Sequence, residues 1–330
     1  MTARPRVLII ADDLTGAMDA AGPFAARGLP TWVAALPEDC DPSRFVRATV
    51  VSVNTESRHL SPDEAARRVT EAWQQVGGEG FDIVVKKVDS TLRGNPVAET
   101  AALATAAGRA RIVVAPAFPA QGRVVRRGEV FVHGTPLAET AFAKDALSPA
   151  VTAPMAEAFA PVAAGAAVAS FDAAGFAARD PSIAGVAVVD AESDTQLDAI
   201  AAGVLPRAGD WLMVGSAGLT ASLALALAID DAQPEPPGVM GRIVYVVGSR
   251  ARASRDQAAT LAADGASLVE AVNGRLGKEP VLAPGADVLL LAVPDVQGRE
   301  GDAGEVATIL SRNALRLVGA GNAQAIVATG

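Results

Sequence analysis

Short apolar runs of strand length alternate along this chain with segments of helical pattern. Such runs occupy residues 7–11, 49–53, 81–88 and 112–115, and helical stretches separate them. One of these stretches opens with the capping box Ser61-Pro62-Asp63-Glu64, a signature of a helix start. Strands that alternate with helices form βαβ crossovers, which give a largely parallel sheet covered on both faces. The fold class predicted for the N-terminal part is therefore α/β, with a small β insertion at 128–134.

The composition changes near residue 230. Residues 230–241 carry three prolines, two glycines and three acids, which is typical of an interdomain linker. We therefore predict an N-terminal domain at 1–235 and a second, smaller α/β domain at 242–330, joined by the linker 230–241. The last apolar run, 325–328, is expected to be a central strand. Because no closing helix follows it, we expect the second domain to be truncated.

The charge balance restricts the partners of this chain. It has 28 Lys and Arg against 37 Asp and Glu, a net charge of -9, and no long basic cluster. This disfavours nucleic acid and anionic membranes as partners, so an anionic ligand needs locally placed cations. A single cysteine and two histidines allow no internal disulfide and no His/Cys metal cluster. We predict no protein metal site and, since the apolar start is too short for a signal peptide, a cytoplasmic location.

Polar loops follow the predicted strands, and ligands of open α/β sheets lie beyond the carboxyl ends of strands. The first loop contains Asp12 and Asp13, followed by Thr15 and Gly16, whose amides face a ligand. One of the two carboxylates can accept a proton from a hydroxyl group, and Asp13 is the first candidate. The alternative is that either aspartate only caps the following helix, because Asp is a favoured N-cap residue.

Two further loops carry the groups that a polyhydroxy acid needs. Lys87 and Arg93 can hold a carboxylate, and Asp89 can accept a hydrogen bond from a hydroxyl. Successive strand residues face opposite sides of a sheet, so only one of Lys86 and Lys87 can reach the cleft. A solvated polar loop is the alternative interpretation. The substrate-binding residues predicted in these two loops are Asn54, Arg58, Asp89, Ser90, Arg93, Gly94 and Asn95.

Several common catalytic motifs are absent from the sequence. It contains no Gly-x-x-x-x-Gly-Lys-Ser/Thr, and no Gly-x-Gly-x-x-Gly follows the first strand. Leu14 occupies the position where an aspartate phosphatase has its second acid, and Ser216 lacks the spacing of a nucleophile elbow. These absences disfavour P-loop enzymes, dinucleotide-binding domains, phosphatases and α/β-hydrolases.

Several motifs in a consistent order resemble those of the four-carbon acid sugar kinases. The resemblance implies an N-terminal acid-sugar-binding domain and a C-terminal ATP-binding domain. It also implies phosphoryl transfer to the terminal hydroxyl of a tetronate, with Mg²⁺ accompanying ATP. The run 89–95 is similar to the threonate and erythronate kinases rather than to the 3-oxo-tetronate kinases. The motifs lie at residues 11–17, 54–58, 86–95, 116–123, 134–140, 215–219 and 248–249.

The resemblance is partial in the second domain. It implies that Gly248, Ser249 and Gly330 contact the nucleotide, since Gly330 stands where a Gly-Gly-Glu-Thr-like loop begins in the family. Residues 248–252 depart from the family's Gly-Ser-Cys-Ser-like run, although Ser249 is retained. The resemblance therefore implies that residues 242–330 correspond to the first half of the ATP-binding domain.

The resulting hypothesis is a kinase in which Lys87 and Arg93 hold the substrate carboxylate. Asn54, Ser90 and Asn95 recognise its hydroxyls, and Asp13, or else Asp12, orients or deprotonates the attacking hydroxyl. One alternative is a non-catalytic acid-sugar-binding or regulatory protein. Another is a dehydratase or aldolase with Lys87 as a Schiff base. The choice among tetronates, their configuration and the oligomeric state stay open, with a homodimer as one option.

Overall fold

The chain divides into two compact units, Met1–Pro234 and Glu235–Gly330. Each unit has its own cluster of buried hydrophobic side chains. The predicted linker lies, apart from Gly241, outside the described residues. The computed structural model describes residues 4–35, 39–145, 147–178, 185–228, 241–249, 252–278, 280–283, 285–294, 298, 301–321 and 323–329.

An eight-stranded sheet of parallel strands forms the centre of the first unit. The central strands are fully buried, as expected for a sheet covered on both faces. This confirms the predicted α/β fold with a large parallel sheet. The strands are β1 Val7–Ala11, β2 Thr31–Ala34, β3 Val50–Asn54, β4 Ile83–Lys87, β5 Arg111–Ala115, β9 Ala167–Phe171, β10 Gly185–Val189 and β11 Trp211–Gly215. Their order across the sheet is β2-β3-β1-β4-β11-β5-β10-β9.

Most helices of this unit begin at residues that the sequence marks as caps. Ser61 caps the helix that starts at Pro62 and accepts a hydrogen bond from the Glu64 amide at 3.4 Å, as the capping box predicts. The first helix starts at Leu14, because Asp13 is its N-cap residue. The helices are α1 Leu14–Ala25, α2 Pro62–Gln75, α3 Pro96–Ala106, α4 Met155–Ala158, α5 Ala173–Ala178, α6 Asp194–Val204 and α7 Ala217–Leu227.

A small antiparallel sheet is inserted after β5, at the position of the predicted β insertion. Its strands are β6 Arg123–Arg126, β7 Glu129–Val132 and β8 Thr135–Pro136, in the order β6-β7-β8. It carries the segment that follows β5 back toward the carboxyl edge of the large sheet, since Val125 and Ala191 form a bridge just after β10.

The second unit is also α/β, as predicted, with a four-stranded parallel sheet. Its elements are β12 Ile243–Val247, α8 Arg252–Ala263, β13 Ser267–Val272, β14 Val288–Val293, α9 Ala303–Gly321 and β15 Ala325–Thr329. The strand order is β13-β14-β12-β15. The expectation that the last strand is central is wrong for this part of the chain, because among the described strands β15 pairs with β12 alone and lies at the edge.

No helix among the described residues is both long enough and apolar enough to cross a membrane. The apolar stretch from residue 211 to 229, which has membrane-span length in the sequence, contains strand β11 and helix α7 with Gly215 and Ser216 between them.

Candidate functional site

A polar cavity of about 300 Å³ opens at the carboxyl edge of the large sheet. The loops after β1, β3, β4, β5 and β11 line it, and these five strands are consecutive neighbours in the sheet. This is where ligands of open α/β sheets bind. The lining residues are Asp13, Thr15, Gly16, Asp19, Arg58, Lys87, Asp89, Ser90, Arg93, Phe118, Gln121, Arg123, Ser216 and Ala217.

The two aspartates of the first loop are joined by one arginine. Arg58 donates to both carboxylate oxygens of Asp12, from Nε at 2.7 Å and from Nη2 at 2.9 Å, and its Nη1 donates to Asp13 Oδ2 at 2.7 Å. Burial opposes the charge of Arg58, yet the hydrogen bonds and charges of the two aspartates raise its pKa above the ordinary value. Asp12 is buried and does not line the cavity, whereas the Asp13 side chain is 27% exposed and does.

Asp13 has a structural contact as well. Its Oδ1 accepts a hydrogen bond from the Gly16 amide at 2.8 Å, so it caps α1 as the alternative interpretation proposed. The cap uses one carboxylate oxygen and Arg58 uses the other. A side chain at position 16 would collide with Asp13 Oδ1 and lie 3.1 Å from Lys87 Nζ, so the close approach of these groups requires glycine there.

Lys87 reaches the cavity from the end of β4, and its Nζ donates to the Val88 carbonyl at 3.0 Å. Within the part of the chain that the structure describes, no carboxylate forms an ion pair with it. Burial lowers the pKa of Lys87, and the nearby charges of Asp12, Asp13 and Asp89 act against this shift. Lys86 points to the opposite face and is fully buried, as the alternation of strand residues predicts.

Asp89 and Arg93 form an ion pair at the cavity wall. Arg93 Nε lies 2.8 Å from Asp89 Oδ2, and Thr91 Oγ1 donates to the same oxygen. Burial opposes ionisation of Asp89, but the hydrogen bonds from Arg93 and Thr91 hold its pKa well below the ordinary value. The hydrogen bond to Asp89 raises the pKa of Arg93. The Arg93 guanidinium also lies 5.3 Å from the centre of the Phe142 ring.

Four of the residues predicted from the sequence do not line the cavity: Asp12, Asn54, Gly94 and Asn95. Asn54 is buried and donates to the Ala35 carbonyl at 2.8 Å. Asn95 donates to the carbonyls of Leu60 at 2.9 Å and Ser57 at 3.3 Å. Their amides therefore hold the loop that carries Arg58, while the other predicted residues of the first unit meet around the cavity.

Six lining residues were not among the predicted site residues: Asp19, Phe118, Gln121, Arg123, Ser216 and Ala217. Arg123 is the most informative of them, because no carboxylate of the described residues pairs with it. Its Nη1 donates to Gln121 Oε1, and its Nε has no hydrogen-bond partner among the residues that the structure describes. The sequence could have identified Arg123 as a site residue, since residues 116–123 form one of the motifs that resemble the acid sugar kinases.

A second cavity, of about 460 Å³, lies within the second unit. Gly248 and Ser249 line it directly after β12, together with Arg255 and Asn273. Arg255 donates to the Ala292 carbonyl at 2.6 Å. Gly330, the third residue predicted to contact a nucleotide, lies outside the described residues. In neither unit do described His, Cys, Asp and Glu residues form a group of three that could hold a metal ion.

Comparisons with known proteins show the family of the chain. The model of the sugar-binding N-terminal domain family matches residues 7–223. A D-threonate kinase of Bordetella bronchiseptica is 36% identical, and the alignment covers 99% of this chain and 82% of that protein. The chain belongs to the four-carbon acid sugar kinase family. A D-threonate kinase of Cupriavidus necator is 39% identical over 77% of this chain and 63% of that protein.

Solved structures agree with the fold of this family member. A crystal structure of a domain of unknown function from Bordetella bronchiseptica, a domain-swapped dimer with bound citrate, is similar with a TM-score of 0.61 and 32% identity. It covers 99% of this chain and 83% of that one. A Haemophilus influenzae protein gives a TM-score of 0.70 at 21% identity, covering 98% and 85%, and supports the fold alone.

Proposed function

We propose that this acid sugar kinase transfers the γ-phosphoryl group of ATP to the terminal hydroxyl of D-threonate. The observation that carries the proposal is the cavity at the carboxyl edge of the large sheet, where four cationic side chains and three carboxylates surround about 300 Å³. A four-carbon acid sugar has one carboxylate and several hydroxyls, which match these groups. Relatives named D-threonate kinase are 35–39% identical, whereas a 3-oxo-tetronate kinase with similar coverage is 32% identical.

The carboxylate of the substrate binds between Lys87, Arg93 and Arg123. Arg93 shares its charge with Asp89, whereas Lys87 and Arg123 have no carboxylate partner among the described residues. An anion that enters the cavity therefore neutralises two cations that have no carboxylate partner in the described part of the chain. The citrate bound in the related Bordetella bronchiseptica structure is consistent with a site for small hydroxy acids.

The reactive hydroxyl lies next to Asp13 in this proposal. The oxygen of the hydroxyl attacks the γ-phosphorus, its proton passes to the Asp13 carboxylate, and ADP leaves. Such transfer depends mainly on positioning and charge neutralisation, so a weak base is sufficient. Asp12 is the second choice, since Arg58 engages both of its oxygens and it is only 3% exposed. Ser90, Thr15 and Gln121 are the candidates to bind the remaining hydroxyls.

ATP binds to the second unit, where Gly248 and Ser249 follow a strand of a parallel sheet and line a cavity of about 460 Å³. The size and the mixed apolar and polar lining suit a nucleotide base and sugar. Mg²⁺ that arrives with the nucleotide supplies charge neutralisation at the phosphates. On the basis of the family resemblance, Gly330 also contacts the nucleotide in this proposal.

The proposed function is tested by measuring ADP release with the natural full-length protein and a panel of tetronates. We expect the highest kcat/KM for D-threonate, followed by D-erythronate, and only weak turnover of 3-oxo-tetronates. The opposing result is acid-sugar binding in calorimetry without ADP release above the background of ATP hydrolysis. It would favour the alternative of a non-catalytic acid-sugar-binding protein.

Arg123 gives a sharper test of the binding mode. Loss of a charge-assisted hydrogen bond costs about 1.5–3 kcal/mol, so Arg123→Ala is expected to raise KM for D-threonate by roughly 10-fold or more. The matched control is Arg126→Ala, because Arg126 lies on the same strand but is exposed, paired with Glu192 and outside the cavity. Steady-state kinetics that show equal KM values for the two variants would remove Arg123 from the carboxylate site.

A homodimer is the oligomeric state that we propose. The support is the related Bordetella bronchiseptica structure, which is described as a domain-swapped dimer. Light scattering coupled to size-exclusion chromatography is expected to give a mass of two chains at micromolar concentration, and a mass of one chain would contradict the proposal.

A further inference from the structure

A buried ion pair lies beneath the substrate cavity and takes no part in the proposed chemistry. Lys86 on β4 and Glu99 on α3 are 0% and 1% exposed, and Lys86 Nζ lies 2.7 Å from Glu99 Oε2. Burial raises the pKa of Glu99, and the charge of Lys86 opposes this shift. Replacing a buried ion pair by apolar side chains of similar volume is often neutral or stabilising. Stability alone therefore does not explain why two charges lie here.

The remaining contacts of the pair lead to the loops that line the cavity. Lys86 Nζ donates to the carbonyl of Ile10 at 3.2 Å, two residues before Asp12, and to the carbonyl of Lys87 at 2.8 Å. Together with Glu99, these acceptors use all the donors of an ammonium group. Lys86 is therefore fixed between the end of β1 and the end of β4, where the Asp13 loop and the Lys87 loop begin.

Glu99 connects the same pair to the third loop. Its Oε1 accepts a hydrogen bond from Ser57 Oγ at 2.7 Å, and Ser57 Oγ lies 2.7 Å from Thr55 Oγ1. The amides of Ser57 and Arg58 both donate to the Asp12 carbonyl, at 2.9 and 3.2 Å. The loop that carries Arg58 is thus held on one side by Glu99 and on the other by the backbone of the aspartate loop.

We infer that the Lys86–Glu99 pair positions the three loops of the substrate site, and that it does so through Ser57, Ile10 and Lys87. The pair consists of positioning residues, because neither lines the cavity. Its effect on the rate rests on the proposed kinase activity, but its effect on the loops does not. A mutation remote from the reacting groups that displaces them by about 1 Å can lower the rate by about 100-fold.

The test uses the double variant Lys86→Met with Glu99→Leu in the full chain, studied by hydrogen exchange and by kinetics. We expect the melting temperature to stay within about 5 °C of the original protein, since apolar replacement of a buried pair is tolerated. The Ser57 and Arg58 amides are expected to exchange at least about 10-fold faster, because the loop opens locally. On D-threonate, kcat is expected to fall by about 100-fold with a smaller change in KM.

Thr100→Val is the matched control. Thr100 is also fully buried on α3, but its hydroxyl donates only to the Pro96 carbonyl of its own helix. It is expected to leave the exchange of Ser57 and Arg58, and the kinetics, within about 3-fold of the original protein. The single variant Glu99→Gln keeps an acceptor for Ser57. Its exchange at Ser57 and Arg58 and its kcat are therefore expected to lie between those of the double variant and those of the original protein.

Hydrogen exchange separates failure of this inference from failure of the proposed function. If the original protein turns over no tetronate, faster exchange in the double variant still supports the positioning role. Unchanged exchange at Ser57 and Arg58 in a folded double variant overturns it, whatever the activity. If the double variant does not fold, Ser57→Ala decides: faster exchange at Arg58 supports the inference and unchanged exchange overturns it.

Discussion

Asp13 combines two contacts that a single substitution can separate. Its Oδ1 caps α1 and its Oδ2 accepts from Arg58, and asparagine keeps the capping oxygen while it removes the charge. Asp13→Asn is therefore expected to lower kcat by about 100-fold or more, with little change in the melting temperature. Steady-state kinetics and thermal unfolding measure the two effects.

Asp41→Asn is the control for this substitution, since Asp41 caps a short helical turn through the Ser43 amide at 2.9 Å and does not line the cavity. It is expected to change neither the rate nor the stability noticeably. A rate for Asp13→Asn within about threefold of the original would show that Asp13 is not the base.

Lys87 illustrates a conflict between stability and function. Burial lowers its pKa below the ordinary value of about 10.4, so its charged form costs folding free energy at neutral pH. This cost in folding free energy is full below the pKa of Lys87 in the folded state. It is relieved as pH rises toward about 10.4, the pKa of a lysine in the unfolded chain. Lys87→Met is therefore expected to raise the free energy of unfolding at pH 7 by about 1–2 kcal/mol while it abolishes activity.

Urea unfolding at pH 7, 8.5 and 10 tests this expectation. The stability difference between Lys87→Met and the original protein is expected to shrink as pH rises. Lys144→Met, at an exposed lysine, serves as the control and is expected to show no difference at any pH. A variant that is less stable than the original at pH 7 would contradict the account of Lys87.

The sequence predicted which loops line the cavity more accurately than it predicted side-chain directions. Parallel strands end at one edge, so Lys87, Asp89 and Arg93 were expected to lie close together, and all three line the cavity. Asn54 instead turns away from the cavity, because loop backbone geometry sets the direction of its side chain. Glu99 was missed, since a helical glutamate ordinarily suggests a solvent-exposed face.

At the scale of elements, the apolar central strands of the large sheet were predictable and its two edge strands were not. The strand β2 at Thr31–Ala34 has only four residues, and β9 at Ala167–Phe171 is small-residue-rich and partly exposed. Both lie at the edges of the large sheet, where burial does not select a continuous apolar run. Their position depends on pairing with β3 and β10, which no local pattern specifies.

The pairing of β9 with β10 depends on one glycine. Gly185 begins β10 with φ of +120°, and a Cβ there would collide with the Ala167 carbonyl oxygen. Gly185→Ala is therefore expected to lower the free energy of unfolding by about 3 kcal/mol, through strain and collision together. Gly108→Ala is the matched control, because Gly108 has φ of +62° but open space around it, so only about 1 kcal/mol is expected. If urea unfolding showed that both variants lose the same free energy of unfolding, a collision at position 185 would be excluded.

At the scale of the whole molecule, the hydrophobic cores follow the two units. The large buried cluster runs from Val7 to Ala224, and the described core residues beyond the predicted linker form separate clusters from Val244 to Leu317. The proposed acid-sugar cavity lies in the first unit and the proposed nucleotide cavity in the second. Because each ligand binds the folded form of one unit, each should stabilise that unit.

Calorimetry of the full chain is expected to show two thermal transitions. At 100 times its dissociation constant a ligand stabilises its site by about 2.7 kcal/mol, which corresponds to a rise of roughly 5–10 °C for the larger unit and roughly 10–20 °C for the smaller one. D-Threonate is expected to raise one transition and ATP with Mg²⁺ the other. Gly185→Ala assigns them, since it should lower only the transition that D-threonate raises. A single transition that both ligands raise equally would show that the units unfold together, and the separation of the cores would then not govern stability.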